Sequence, residues 1–269
     1  MNAAVLARGL ATRMRQAEPG ATLAADQAAA AEAGLKTMMP VGSARPFLDY
    51  VIGSLADAGC RRVGLVIGPE HRDVRRRYEI EARPRRVAID FLEQPRAIGT
   101  ANAVLCCEAW AAGAPFLVVN ADNLYPVGVL RRLASLDGPG LPVFSRDELV
   151  RSSNIPPDRV ASFALVDVDE TGRLRRIVEK PGADAVAAAG RAALVSMNCW
   201  RFDARIFAAC RDVPRSARGE FELPQAVALA IERGVVFEAF LARGPVLDLS
   251  RRSDVAAVSR RLAGVDPQP

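Results

Sequence analysis

"NAAVLARGLATRMR" (residues 2–15) sets a short apolar run against a loop that holds one glycine and three arginines. The run reads as a strand, and the loop beyond it as either a phosphate cradle or a strand end carrying solvated arginines. Gly9 allows close backbone approach or a positive φ. Thr12 can cap the turn that follows, and Arg13 and Arg15 offer guanidinium forks suited to phosphate oxygens. Backbone N–H groups at such a turn bind anions. No GKS or GKT follows, so the loop is not a Walker loop, and the glycines of GxGxxG are absent.

Working outward, apolar runs at 3–7, 61–68, 87–94, 114–122, 163–169 and 192–202 alternate with helical patterns at 46–58, 99–112, 126–136, 203–211, 220–233 and 253–263. That alternation predicts an α/β fold with a mostly parallel sheet covered on both faces. Ligands then belong at the carboxyl ends of the strands, where the opening loop and the loop after "PFLVVNAD" both lie. Segment 20–34, "GATLAADQAAAAEAG", reads as an inserted helix or a flap between two glycines. The turns at 136–142 and 151–159 are loops within one domain.

A chain of 269 residues, half of them hydrophobic, is long enough for one large core. It has no apolar run of membrane-helix length and no basic and apolar N-terminal pattern of a signal peptide, which predicts a cytoplasmic protein with no membrane partner. Cys60, Cys106, Cys107, Cys199 and Cys210 lack CxxC spacing, so they read as core residues rather than a zinc site or a disulfide framework. With His71 as the single histidine, chemistry that needs several imidazoles is excluded. The net charge of +5 and the tract "RDVRRRYEIEARPRR" (72–86) do not indicate nucleic acid, because aromatic residues for base stacking are missing; the tract reads as a solvated helix and turn.

Five further segments give the opening loop a context. They are "LKTMMPVGSARPFLDYVI" (35–52), "EQPRAIGTANAV" (93–104), "FLVVNADN" (116–123), "RRIVEKP" (175–181) and "VLDLSRRSDVAAV" (246–258). In order and spacing, from Ala3 to about Arg261, these motifs resemble the sugar-1-phosphate nucleotidylyltransferases, the family of glucose-1-phosphate thymidylyl- and uridylyltransferases. The resemblance implies one Rossmann-like domain over 1–269, with 1–125 mainly binding nucleotide and 126–269 mainly binding sugar phosphate. It implies attack of a sugar 1-phosphate on the α-phosphorus of a nucleoside triphosphate, with Mg²⁺ as cofactor. Such a reaction needs positioning and charge neutralisation rather than a protein nucleophile.

Carried onto this chain, the resemblance places Leu6, Ala7, Gly9, Ala11, Thr12 and Arg13 around the nucleotide. Lys36 then balances the reacting phosphates. Gln94 and Gly99, with Thr100, read the base, and a glutamine amide beside a glycine favours UTP or dTTP. Asp122 and the distant Asp248 share the Mg²⁺ ion. Glu179 and Lys180 hold the sugar and its phosphate, with Ala164, Ser196 and Asn198 lining the sugar site. Arg13, Lys36, Asp122 and Lys180 form the catalytic set.

The chain also departs from the family pattern. Ala11, Ala121 and Ala164 stand where glycines are usual, and Asn198 falls two residues later than the usual asparagine. An alanine forced to positive φ costs about 1–2 kcal/mol, so these positions bear on activity. A relative that binds nucleotide or nucleotide sugar for regulation is the rival reading; retention of both metal and acceptor-phosphate groups favours the enzyme. An NAD-dependent oxidoreductase is disfavoured by the missing glycine fingerprint and its acidic partner. Homo-oligomerisation is compatible with all of these readings.

Overall fold

The computed structural model describes residues 1–9, 11–190 and 192–269, with Leu10 and Arg191 outside the described residues. A ten-stranded sheet forms the centre of the fold. In chain order its strands are β1 (Asn2–Leu6), β2 (Arg62–Ile67), β3 (Ala88–Glu93), β4 (Phe116–Asn120), β5 (Gly140–Ser145), β6 (Ala164–Val168), β7 (Leu174–Val178), β8 (Leu194–Ser196), β9 (Trp200–Phe202) and β10 (Glu238–Leu241). Across the sheet they lie β7-β6-β8-β5-β9-β4-β1-β2-β3, and β10 branches from β5.

The sheet is mixed. β3, β2, β1 and β4 run parallel, whereas β9, β5, β8, β6 and β7 join antiparallel. The parallel half matches the sequence patterning because its strands are separated by helices such as Phe47–Asp57 and Thr100–Leu105. In the second half, β6 and β7 are joined by the turn "DETG" and β8 and β9 by three residues, too short for a parallel crossover.

Both faces of the sheet are buried, which explains the near-continuous apolar runs of the central strands. Alternation divides them: Ala3, Val5, Leu117 and Val119 pack with helix Phe47–Asp57 in one core. Ala4, Phe116 and Val118 pack with helices Arg205–Asp212 and Leu223–Glu232 in the other. The second core is built on aromatics, with Phe116 stacked on Phe207 at 5.6 Å and Trp200 on Phe202 at 5.5 Å. Four of the cysteines are buried and all five are free thiols.

The alanine-rich insertion forms helix Ala25–Ala33, closed by Gly34 at φ +72°. Gln27 pins its N-terminal end: its Oε1 accepts from the Ala24 N–H, and its Nε2 donates to the Pro40 carbonyl. The Arg-rich tract is not wholly solvated as the sequence suggested. Arg77 and Tyr78 turn inward to a carboxylate on helix Phe47–Asp57, Asp49, which is 1% exposed. The Tyr78 hydroxyl donates to Asp49 Oδ1 at 2.8 Å and Arg77 forks onto both carboxylate oxygens. Charge alternation hid this pairing, because burial of Asp49 depends on the opposite helix. Among the described residues no helix is long and apolar enough to cross a membrane.

Removing one partner of a buried ion pair leaves the other desolvated and unpaired. Asp49→Ala is therefore expected to cost about 3 kcal/mol of unfolding free energy in urea denaturation. The triple variant Asp49→Leu, Arg77→Met and Tyr78→Phe, which removes every polar partner of the cluster together, is expected to recover most of that loss.

Candidate active site

The carboxyl ends of β1, β2, β3 and β4 lie side by side, as parallel register requires. The loops that leave them border a cleft of about 420 Å³. Its lining includes Leu6, Gly9, Ala11, Thr12, Arg13, Lys36, Gln94, Gly99, Thr100 and Asp122, which are separated by up to 116 positions in sequence. Ala7 is buried beneath the loop rather than in the lining. Arg8, Thr37, Asn120, Arg218, Glu220 and Ser250 also face the cleft, and the sequence reading did not assign them roles.

An ion pair on the cleft wall joins Lys36 Nζ to Asp122 Oδ2 at 2.6 Å. Gly9 has ordinary φ, and a Cβ there would lie 3.6 Å from the Lys36 ammonium. A Cβ there would make only ordinary contact, so neither space nor backbone conformation in this structure requires the glycine. Arg13 has no partner among the described residues, so its guanidinium is free to meet an anion.

Lys36 and Lys180 are the only lysines among 36 basic residues of the chain. A sequence that uses arginine everywhere else has kept a compact point charge at these two positions, where a planar fork differs in reach and geometry. That count was a signal available in the sequence.

Gln94 is 3% exposed, and its Nε2 donates to the Gly99 carbonyl at 3.1 Å and to Asn102 Oδ1 at 2.9 Å. These acceptors orient the amide and leave Oε1 without a partner among the described residues. Gly99 stands at φ +120°, and a Cβ there would lie 2.3 Å from the Phe221 carbonyl oxygen, so the position excludes every side chain. Phe221 and Leu223 close on this loop through Ala101 N–H to Phe221 O and Leu223 N–H to Thr100 Oγ1, both 2.9 Å.

Of the three alanines in glycine positions, only Ala11 has positive φ, at +51°. Ala121 and Ala164 have ordinary backbone and carry no such strain. Lys180 and Asn198, both sequence-predicted sugar-site residues, are also left-handed, at φ +46° and +56°.

β6 pairs Ala164 with Ser196 and Leu165 with Val178, which brings Ala164, Ser196 and Glu179 to one end of the antiparallel half. Ser196 Oγ accepts from the Asn198 N–H, and Asn198 Oδ1 accepts from Trp200 Nε1. Lys180 Nζ sits 3.1 Å from Glu222 and 3.6 Å from Glu179. Arg218, 3.6 Å from Glu222, links this cluster to the cleft. Burial, and then the neighbouring Glu222 carboxylate, push Glu179 up to about 7.

Asp248 lies beside Asp122 through the chain: Leu247–Asp248 pairs with Asn123–Leu124, and Leu249 N–H donates to the Asp122 carbonyl at 2.9 Å. Its carboxylate is 5% exposed and does not line the cleft. Arg159 Nη1 holds Oδ1 at 2.6 Å and Asn123 Nδ2 holds Oδ2 at 3.0 Å. Burial and the nearby Asp122 carboxylate push the Asp248 carboxyl above its usual range, against the pull of Arg159. Among the described residues no three His, Cys, Asp or Glu groups converge as a metal cage. Asp122, an oxygen donor on the cleft wall, suits a hard cation that takes its other ligands from phosphates.

Two stability measurements follow from this geometry. Ala11→Gly should raise the unfolding free energy by about 1 kcal/mol, because glycine adopts positive φ without the Cβ penalty. For Glu179 the folded state binds the proton more tightly than the unfolded chain. Its stabilisation is present at acid pH and lost as pH rises from the ordinary glutamate range through about 7. Glu179→Gln should flatten that part of the stability–pH curve in urea denaturation between pH 4.5 and 8.

Comparison with known proteins agrees with this geometry. Residues 31–260 match the family model described as nucleotidyl transferase. A glucose-1-phosphate thymidylyltransferase of Streptomyces antibioticus is 27% identical over 97% of this chain and 65% of its own length. A UTP–glucose-1-phosphate uridylyltransferase of Haloferax volcanii is 25% identical over 97% of this chain and 96% of its own length. The chain thus spans less than two thirds of the thymidylyltransferase, and 58% of a further curated relative. A UTP-bound UGPase structure from Acinetobacter baumannii shares the fold, with a TM-score of 0.72 at 20% identity over 97% of this chain and 92% of that one. From strand-end loops to distant aspartates, the chain belongs to the nucleotidyl transferase family, among the relatives of the glucose-1-phosphate thymidylyl- and uridylyltransferases.

Proposed function

We propose that the chain transfers a nucleotidyl group from UTP or dTTP to a sugar 1-phosphate and releases pyrophosphate. The observation that carries this reading is the joining of Arg13, Lys36 and Asp122 with Gln94 and Gly99 in one cleft. Residues 1–125 supply most of the nucleotide wall, and 126–269 supply the Glu179, Lys180 and Arg218 cluster for the acceptor. Relatives named for thymidylyl and uridylyl transfer to glucose 1-phosphate support the same assignment.

In the proposed step a phosphate oxygen of the sugar phosphate forms a bond to the α-phosphorus, and the bond from that phosphorus to the β-phosphate oxygen breaks. Arg13 and Lys36 offset charge on the triphosphate as the phosphorus becomes five-coordinate. Lys180 holds the acceptor phosphate, while Glu179, Ser196 and Asn198 face the sugar hydroxyls. Gln94 Oε1 accepts the N3–H of uracil or thymine. Cytosine and adenine present an acceptor at the corresponding edge, and two acceptors repel. Asp122 would hold Mg²⁺, which supplies further neutralisation of the phosphate oxygens when bound, while Asp248, held by Arg159 and Asn123 outside the cleft lining, backs that wall rather than reaching the ion. A regulatory binder without turnover is the competing reading, and the strained Ala11 is what favours it.

The deciding experiment measures pyrophosphate release across a panel of triphosphates and sugar 1-phosphates. Turnover is expected with UTP or dTTP. Lys36→Arg and Arg13→Ala should each fold normally and lose about 100-fold in turnover, the usual cost of a displaced donor at transition-state charge. Nucleotide binding without pyrophosphate release under any pairing would establish the regulatory reading.

A further inference from the structure

Arg8 is the basic cleft residue whose side chain the reaction above leaves unused. It follows β1 directly, and its side chain is only 10% exposed although the residue sits at a loop. Three features seat it. Its Nε and Nη2 fork onto the Glu70 carboxylate at 3.2–3.3 Å. Its Nη1 donates to the main-chain carbonyl of Gln94. Gly68 makes room for the pair, since a Cβ there would lie 2.3 Å from Glu70 Oε2 and 2.5 Å from Arg8 Nε. His71 fixes the Gly68 loop in turn by accepting its N–H at Nδ1.

A guanidinium carries five N–H donors, two of them on Nη1. One Nη1 donor is spent on Gln94, which leaves the other without a partner among the described residues. The same Gln94 gives both amide donors to Gly99 and Asn102, and its Oε1 has no partner among the described residues. One donor and one acceptor, both carried on or held against Gln94, therefore border the same end of the cleft.

We propose that Arg8 is a base-specificity residue: its free Nη1 N–H donates to a keto oxygen of the nucleobase while Gln94 Oε1 accepts the adjacent imide N–H. The inference rests on the nucleotidyl-transfer reading and narrows it to bases with a keto-imide edge. Uracil and thymine present O4 next to N3–H, and guanine presents O6 next to N1–H. Cytosine and adenine present an amino group next to a bare ring nitrogen, which reverses both contacts. A site built on hydrogen bonds rejects such a ligand because its own buried groups go unpaired.

The test is calorimetric binding of UTP, GTP, CTP, ATP and inorganic tripolyphosphate to the wild-type chain, to Arg8→Met and to Glu70→Gln. The wild type should bind UTP about tenfold or more tighter than CTP. Arg8→Met should bring that ratio to within about threefold and leave tripolyphosphate affinity unchanged. Glu70→Gln alters an exposed carboxylate outside the cleft lining, so it unseats Arg8 with little risk to folding and should lower the ratio in the same direction. The GTP arm identifies which keto base the cleft admits; either UTP or GTP preferred over CTP and ATP supports the proposal. A wild-type UTP to CTP ratio in both variants would overturn it, as would an equal loss of tripolyphosphate affinity. Failure of every triphosphate to bind the wild type would instead overturn the nucleotidyl-transfer reading on which it rests.

Discussion

β1 has no exposed edge. Each of its five residues pairs with β2 on one side and β4 on the other, both parallel. Buried backbone polar groups must be hydrogen-bonded, so this strand can exist only inside the sheet. Parallel pairing then sets the carboxyl ends of β1, β2 and β4 at one level, and Ala121 N–H reaches the Leu6 carbonyl just past them. The cleft follows from that constraint: whatever chemistry the loops carry is delivered to the same place.

The Lys36–Asp122 pair turns that placement into a charged site. Lys36 comes from a short 3₁₀ turn, Lys36–Met38, and Asp122 is the second residue beyond the end of β4. Their side chains are 15% and 21% exposed, so the pair sits part-buried on the cleft wall. The contact is between an ammonium and a carboxylate, the same two charge types that a metal–triphosphate complex would present in exchanged partners. Its neighbours Arg13 and Gly9 leave open space rather than filling it, consistent with a cleft shaped for a polyanion.

The C-terminal segment is drawn to the cleft by buried charge. Arg159 reaches Asp248 and forks onto Asp254, whose carboxylate also accepts the N–H groups of Ser250 and Arg251. Arg252 then donates to the Met14 carbonyl, and Ser253 bonds Glu18, tying residues 250–254 to the opening loop. A buried ion network of this kind adds little net stability over an apolar one, but a single arrangement satisfies it. It is what lets a residue such as Ser250 line the same cleft as Gly9.

Much of this was legible in the chain itself. Alternating apolar runs and helical patterns gave the α/β class, and most helices start or stop within a few residues of the patterned segments. The order and spacing of the motifs, through their resemblance to the sugar-1-phosphate nucleotidylyltransferases, pointed to Lys36, Gln94, Gly99 and Asp122. Local patterning could not show that the second half of the sheet is antiparallel, since strand direction depends on connection length and partners. Nor could it show that Arg8 lies against Gln94, that Arg77 is buried on Asp49, or that Ala11 alone among the substituted glycines has positive φ. Composition and periodicity report what each residue prefers locally. Which donor meets which acceptor across 86 positions, as Lys36 meets Asp122, is decided only when the folded backbone brings both to one distance.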